Sequence, residues 1–77
     1  MRYFFDVSGA GASTHDSEGL ELTTREDAIA QAGQTLAEIA LHHLWTTGEP
    51  TITLWLVIRE GQNPFYESYL VIGPEAE

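Results

Sequence analysis

Between Thr23 and Thr46 apolar residues recur at helical spacing, the clearest periodic signal in the chain. Ile29, Ala32, Leu36, Ile39, Ala40 and Leu44 fall on one stripe, with Asp27, Gln31, Gln34, Glu38 and His42 on the opposite face. One helix with one apolar stripe must bury it against something else, and the remaining segments read as strands. Thr23 three residues before Glu26 has the spacing of a capping box, and Gly48 before Pro50 ends the helix near Thr46. Gly33 borders the stripe and reads as a point of close approach to a sheet.

Tyr3-Phe4-Phe5-Asp6-Val7 is an aromatic and β-branched run that reads as a strand. Gly9 to Gly19 lacks periodicity and is expected to be a flexible hairpin loop, with Leu20-Glu21-Leu22 returning as a brief second strand. Thr51 to Glu60 alternates, with Ile52, Leu54, Leu56 and Ile58 on one face and Thr53, Trp55, Val57 and Arg59 on the other. Gly61-Gln62-Asn63-Pro64 is turn chemistry, and Phe65 to Ile72 forms a last strand before Gly73-Pro74. The expected fold is α+β, β-β-α-β-β, a four-stranded antiparallel sheet in the order 2-1-3-4 with one helix packed on one face. All 77 residues form a single domain, 73–77 being a frayed tail.

Charge excludes more than it suggests. Three Lys+Arg against twelve Asp+Glu leave a net charge of −9. Nucleic-acid binding needs a basic footprint, and anionic membranes repel such a chain, so neither is an expected partner. With no cysteine, disulfides and thiolate metal sites are excluded. The start Met1-Arg2-Tyr3-Phe4-Phe5-Asp6 lacks the apolar core of a signal peptide, and a cytoplasmic location is expected.

No motif carries catalysis. Gly9-x-Gly11 follows a strand, but His15-Asp16-Ser17-Glu18 comes next where a phosphate loop needs a helix N-terminus. Ser13, His15 and Asp16 are the residue types of a hydrolytic triad, yet neighbours on one loop seldom converge. His15, Asp16, Glu18 and Glu21 lack the full ligand alternation of a calcium loop. His42 and His43, consecutive on a helix, point about 100° apart and cannot share an ion. No catalytic residue, cofactor or metal is expected.

The apolar surplus is more informative. One helix covers one sheet face, so Phe4, Trp55 and Val57 lie on the uncovered one with a set from the last strand. Either Tyr66, Leu70 and Ile72 or Phe65, Tyr69 and Val71 could complete it; Tyr69 and Val71 are the favoured members. Such a face marks an interface, and a homodimer is the expected state. Leu41 and Trp45 form an i,i+4 pair outside the stripe, read as a helix end curling over the sheet edge.

Arg2-Tyr3-Phe4-Phe5-x-Val7, then Asp16-x-Glu18-Gly19-x-Glu21-Leu22, then a helix with Ala28 and Ala32, resemble a family of short bacterial proteins. That family is a domain of unknown function whose members open Arg-Tyr-Phe-Phe-His and continue Asp-Glu-Glu-Gly-x-Glu-Leu. The resemblance covers the first half well and the second only as two strands joined by a turn. Asp6 stands where the family has His, so a histidine-dependent role there is not implied. A looser similarity links the strands-then-helix order to an antitoxin fold that neutralises messenger-RNA-cleaving toxins, without its Pro-Asp-Leu-Pro-Gly segment or a basic tail. The expected function is a non-enzymatic module for protein–protein contact; the alternative is an antitoxin-like or inhibitory partner of a basic protein, itself unidentified.

Overall fold

The computed structural model describes residues 1–9 and 11–73. Alternating residues build β1 (Arg2–Gly9), β4 (Ile52–Glu60) and β5 (Asn63–Ile72), while β2 (Ala12–Thr14) and β3 (Leu20–Glu21) are short. The helix α1 runs Arg25–Thr47, 23 residues or about 34 Å. The fold is α+β, one helix on an antiparallel sheet of five strands in the order β2-β1-β4-β5, with β3 also paired to β1.

The count corrects the four-strand expectation. The aperiodic segment between Gly9 and Gly19 contains β2, which pairs with Val7 to Gly9, while β3 pairs with Arg2 and Tyr3 further along β1. Ala-Ser-Thr is too short to show periodicity, so nothing in its residues announces a strand. Gly9 does announce a constraint. Its φ is +121° and a Cβ there would stand 2.2 Å from the Thr53 carbonyl oxygen, so only glycine lets β1 end so close to β4.

The helix begins one residue later than the capping box suggested. Thr24 is the cap, its hydroxyl accepting from the Asp27 N–H at 3.1 Å. At the other end the Gly48 N–H closes on the Leu44 carbonyl at 3.0 Å. The buried row is Ala28, Ala32, Leu36 and Ala40, one every fourth residue, with Ile29, Ile39 and Leu44 half-buried beside it. Small side chains in that row seat the helix close on the sheet. Gly33 takes no part in this: it is exposed, with open space where a Cβ would go.

Register settles which residues share a face. Phe5 lies opposite Ile58 and Val7 opposite Leu56, beneath the helix, with Leu54 paired to Leu70 and Ile52 to Ile72. The core is Tyr3, the alanine row with Leu36, and Ile52, Leu54, Leu56 and Ile58. A bulge between Ile58 and Arg59 leaves Phe65 outside the regular pairing of β5, and its ring meets Tyr3 edge-on at 5.9 Å. Burial pushes the Tyr3 phenol up, and the nearby Glu60 adds to the shift. Arg25 donates from Nε to Glu60 Oε1 at 2.6 Å and lies 4.6 Å over Phe65, tying the start of α1 to the end of β4. The helix packs mainly on β4 and β5, so the flank of β1 beneath it stays half open.

Candidate functional site

The sheet face away from α1 carries Phe4 opposite Arg59, Asp6 opposite Val57, and Ser8 opposite Trp55. On the far side Trp55 lies opposite Tyr69, Val57 opposite Glu67, and Thr53 opposite Val71. All five residues expected at an interface, Phe4, Trp55, Val57, Tyr69 and Val71, therefore share one face. They do not form one patch, because the face has two unlike ends.

The first end is ionic and covered. Arg59 is 8% exposed, although β4 alternation alone would put it in water. Its Nε donates to Asp6 Oδ2 at 2.7 Å, Nη1 to the Gly61 carbonyl at 2.7 Å, and Nη2 to the Asp16 carbonyl at 2.6 Å. The guanidinium also lies 4.8 Å over the Phe4 ring. Arg59 holds Asp6 below the ordinary aspartate pKa by direct hydrogen bonding, which outweighs the opposing effect of burial; Asp6 in turn raises that of Arg59. Phe4 thus belongs beneath this cluster rather than to an exposed patch.

What covers this end is the segment from His15 to Gly19, held in place rather than flexible. Asp16 fills the gap between β2 and β3 along β1. Its Oδ2 accepts from the Phe5 N–H at 3.0 Å, and its Oδ1 from those of Glu18 at 3.1 Å and Gly19 at 3.0 Å. Its own N–H donates to Asp6 Oδ1 at 2.9 Å. Burial alone would raise the Asp16 pKa, but the three amide donors hold it below the ordinary value. Gly19 has φ +73°, and a Cβ there would stand 2.8 Å from Arg2 and 2.9 Å from Phe4. Asp16-x-Glu18-Gly19 is therefore a structural clasp, closed by Arg2 donating to the Glu18 carbonyl at 2.8 Å.

The triad residue types are not assembled. Asp16 commits its carboxylate to backbone amides, and Ser13 sits in β2 opposite Ser8. His15 Nε2, the nitrogen that would take a serine proton, lies 3.1 Å from Arg59 Nη2. Among the described residues no three His, Asp or Glu side chains gather as metal ligands. His42 is exposed, and His43, half-buried, has Nε2 3.7 Å from Glu49.

The second end is apolar and open. Trp55 stacks on Tyr69 with ring centroids 5.7 Å apart and planes 18° from parallel. Trp55 is 43% exposed, Tyr69 63% and Val71 69%, with Val57 half-buried beside them. The indole N–H donates to Glu67 Oε1 at 3.0 Å, which fixes the ring on the sheet. The pairing resolves the choice left open on β5: Tyr69 and Val71 face outward, while Leu70 and Ile72 lie on the helix side. The bulge takes Phe65 away from the outward set and seats it against Tyr3.

Sequence reasoning missed the ionic end. Its signal was present: Asp6 and Arg59 both fall on the outer face of neighbouring strands, in a chain with only three cations. Among the described residues no helix is long and apolar enough to cross a membrane. The family model of a domain of unknown function (DUF6894) matches residues 2–63, and the chain belongs to that family. No curated protein and no solved structure matches it.

Proposed function

We propose that this DUF6894 domain is a small non-enzymatic module for protein–protein contact, pairing with a second copy through the apolar end of its open sheet face. The observation that carries this reading is the Trp55–Tyr69 stack with Val71, left exposed on its strand pair by the described residues. The commitment of Asp16 supports the non-enzymatic part, since its carboxylate is taken up by backbone N–H groups rather than aimed at a nucleophile. A cytoplasmic setting belongs to the same reading, for the chain has no cysteine to staple so small a core.

Because the His15–Gly19 clasp covers the other end, the interface is smaller than a whole sheet face. It would bury on the order of 400–500 Å² per chain, at the weak end of specific association. Light scattering and sedimentation should show a dimer at high micromolar concentration, and Trp55→Lys should abolish it while leaving the circular dichroism unchanged. A wild-type chain that stays monomeric there overturns the reading.

A second reading, an acidic inhibitory or antitoxin-like partner of a basic protein, is favoured by one observation. Each of the three guanidiniums is already engaged by an acid of the same chain: Arg2 with Glu21, Arg25 with Glu60, Arg59 with Asp6.

A further inference from the structure

The outer side of α1 holds Trp45, the most exposed large apolar residue among those described. Leu41 is 69% exposed and Trp45, one turn later, 87%. They do not curl over the sheet edge as their spacing suggested. Nothing among the described residues accounts for an indole left almost wholly in water on this helix.

Across the ridge formed by Glu38 and His42 lies an apolar cleft of about 530 Å³. It exists because α1 sits over β4 and β5 and leaves the flank of β1 uncovered. Val7, Ile39 and Leu54 line it, with Thr14, His43 and Thr46 at its edges. Glu38 and His42 border both the cleft and the Leu41–Trp45 surface, so the two are one continuous docking area.

Its charge selects the occupant. Glu38 stands on the ridge, Glu49 lies just past the helix end, and the last turn of α1 carries no basic residue to offset its carbonyls. The three arginines are all engaged elsewhere. A second copy would bring like charges and two negative helix ends together, and nucleic acid or an anionic membrane has the wrong sign. We propose that the C-terminal half of α1 docks a basic amphipathic segment of a partner protein. An apolar side chain of that segment enters the cleft over Val7, Ile39 and Leu54. A Lys or Arg crosses Glu38 and lies on the face of Trp45. This deepens the contact-module reading, naming the partner's chemistry, and uses the side of the molecule opposite the Trp55 patch.

The probe is a short synthetic peptide with Leu and Lys at helical spacing, titrated into the isotope-labelled full chain and followed by amide chemical shifts. Shifts should concentrate on residues 38–46 with Val7 and Leu54. Trp45→Ala and Glu38→Lys should each weaken binding by about tenfold, while Trp55→Lys should not. The same peptide with Glu in place of Lys should not bind. Four results would overturn the proposal: no shifts at millimolar peptide, shifts centred on Trp55 and Tyr69, equal binding of the Glu peptide, or concentration-dependent shifts at Leu41 and Trp45 without peptide, which would make a second copy the occupant. Loss of the dimer with peptide binding intact would count against the sheet-face reading alone.

Discussion

Asp16 shows how one side chain replaces a missing strand. Three backbone N–H groups that β2 and β3 leave unpaired converge on its carboxylate, and hydrogen bonds to a charged acceptor are the strong kind. Asp16→Asn should therefore cost about 1.5–3 kcal/mol at pH 7, read from denaturant midpoints. The pH dependence has a defined sign. The folded pKa lies below the unfolded one, so the stabilisation is fully present above about pH 4 and is lost as pH falls through the depressed folded value. The gap between wild type and Asp16→Asn should thus close below pH 4; a gap that widens there would assign the clasp to something other than the carboxylate. Arg59 belongs to the same cluster. Arg59→Met leaves Asp6 with a partly buried, unmatched charge, at a cost of about 2–3 kcal/mol once its residual solvent contact is allowed for. Pairing it with Asp6→Asn should recover part of that loss.

Elements depart from expectation where a neighbour decided the outcome. In α1 the apolar stripe was readable, but the row that meets the sheet is Ala28, Ala32, Leu36 and Ala40, shifted from the bulkier residues toward those that permit close seating. Gly33 lies away from that contact, in an ordinary helical conformation with room for a methyl group. Gly33→Ala should therefore stabilise the chain by about 0.5–1 kcal/mol and raise the melting temperature by several degrees. An unchanged or lowered melting temperature would show a contact at that position. On β4 the alternation was legible in full, and the same alternation that buries Ile52, Leu54, Leu56 and Ile58 sends Trp55 outward. On β5 the bulge after Ile58 made the face of each residue unreadable, since one extra residue separates Phe65 from the outward set of Tyr69 and Val71.

For the molecule as a whole, the imbalance of charge outweighs its pairing. The ion pairs of Arg2 and Arg25 are largely exposed on the arginine side and contribute little, leaving self-repulsion of nine net negative charges over a body 39 × 24 × 17 Å. Raising salt from low to physiological concentration should raise the unfolding midpoint by screening. A midpoint that falls would mean that the Arg59 cluster dominates the electrostatics. The same imbalance underlies the proposed choice of a basic partner, since all three arginines are engaged by acids of the chain itself.

Local pattern alone determined the helix, the long strands and the outward side of Trp55 on β4. Each follows from a period of 3.6 or 2 that a single segment carries in its own residues. Tertiary structure decided the rest: the burial of Arg59, the anchoring of His15 to Gly19, the exposure of Trp45 and the cleft beside α1. Those depend on where one element lies across another. Arg59 is buried because Asp6 and Asp16, distant in the chain, reach it together, and the cleft is open because α1 lies over β4 and β5 rather than β1. Periodicity records the direction in which a side chain leaves its own backbone; only packing supplies what it meets.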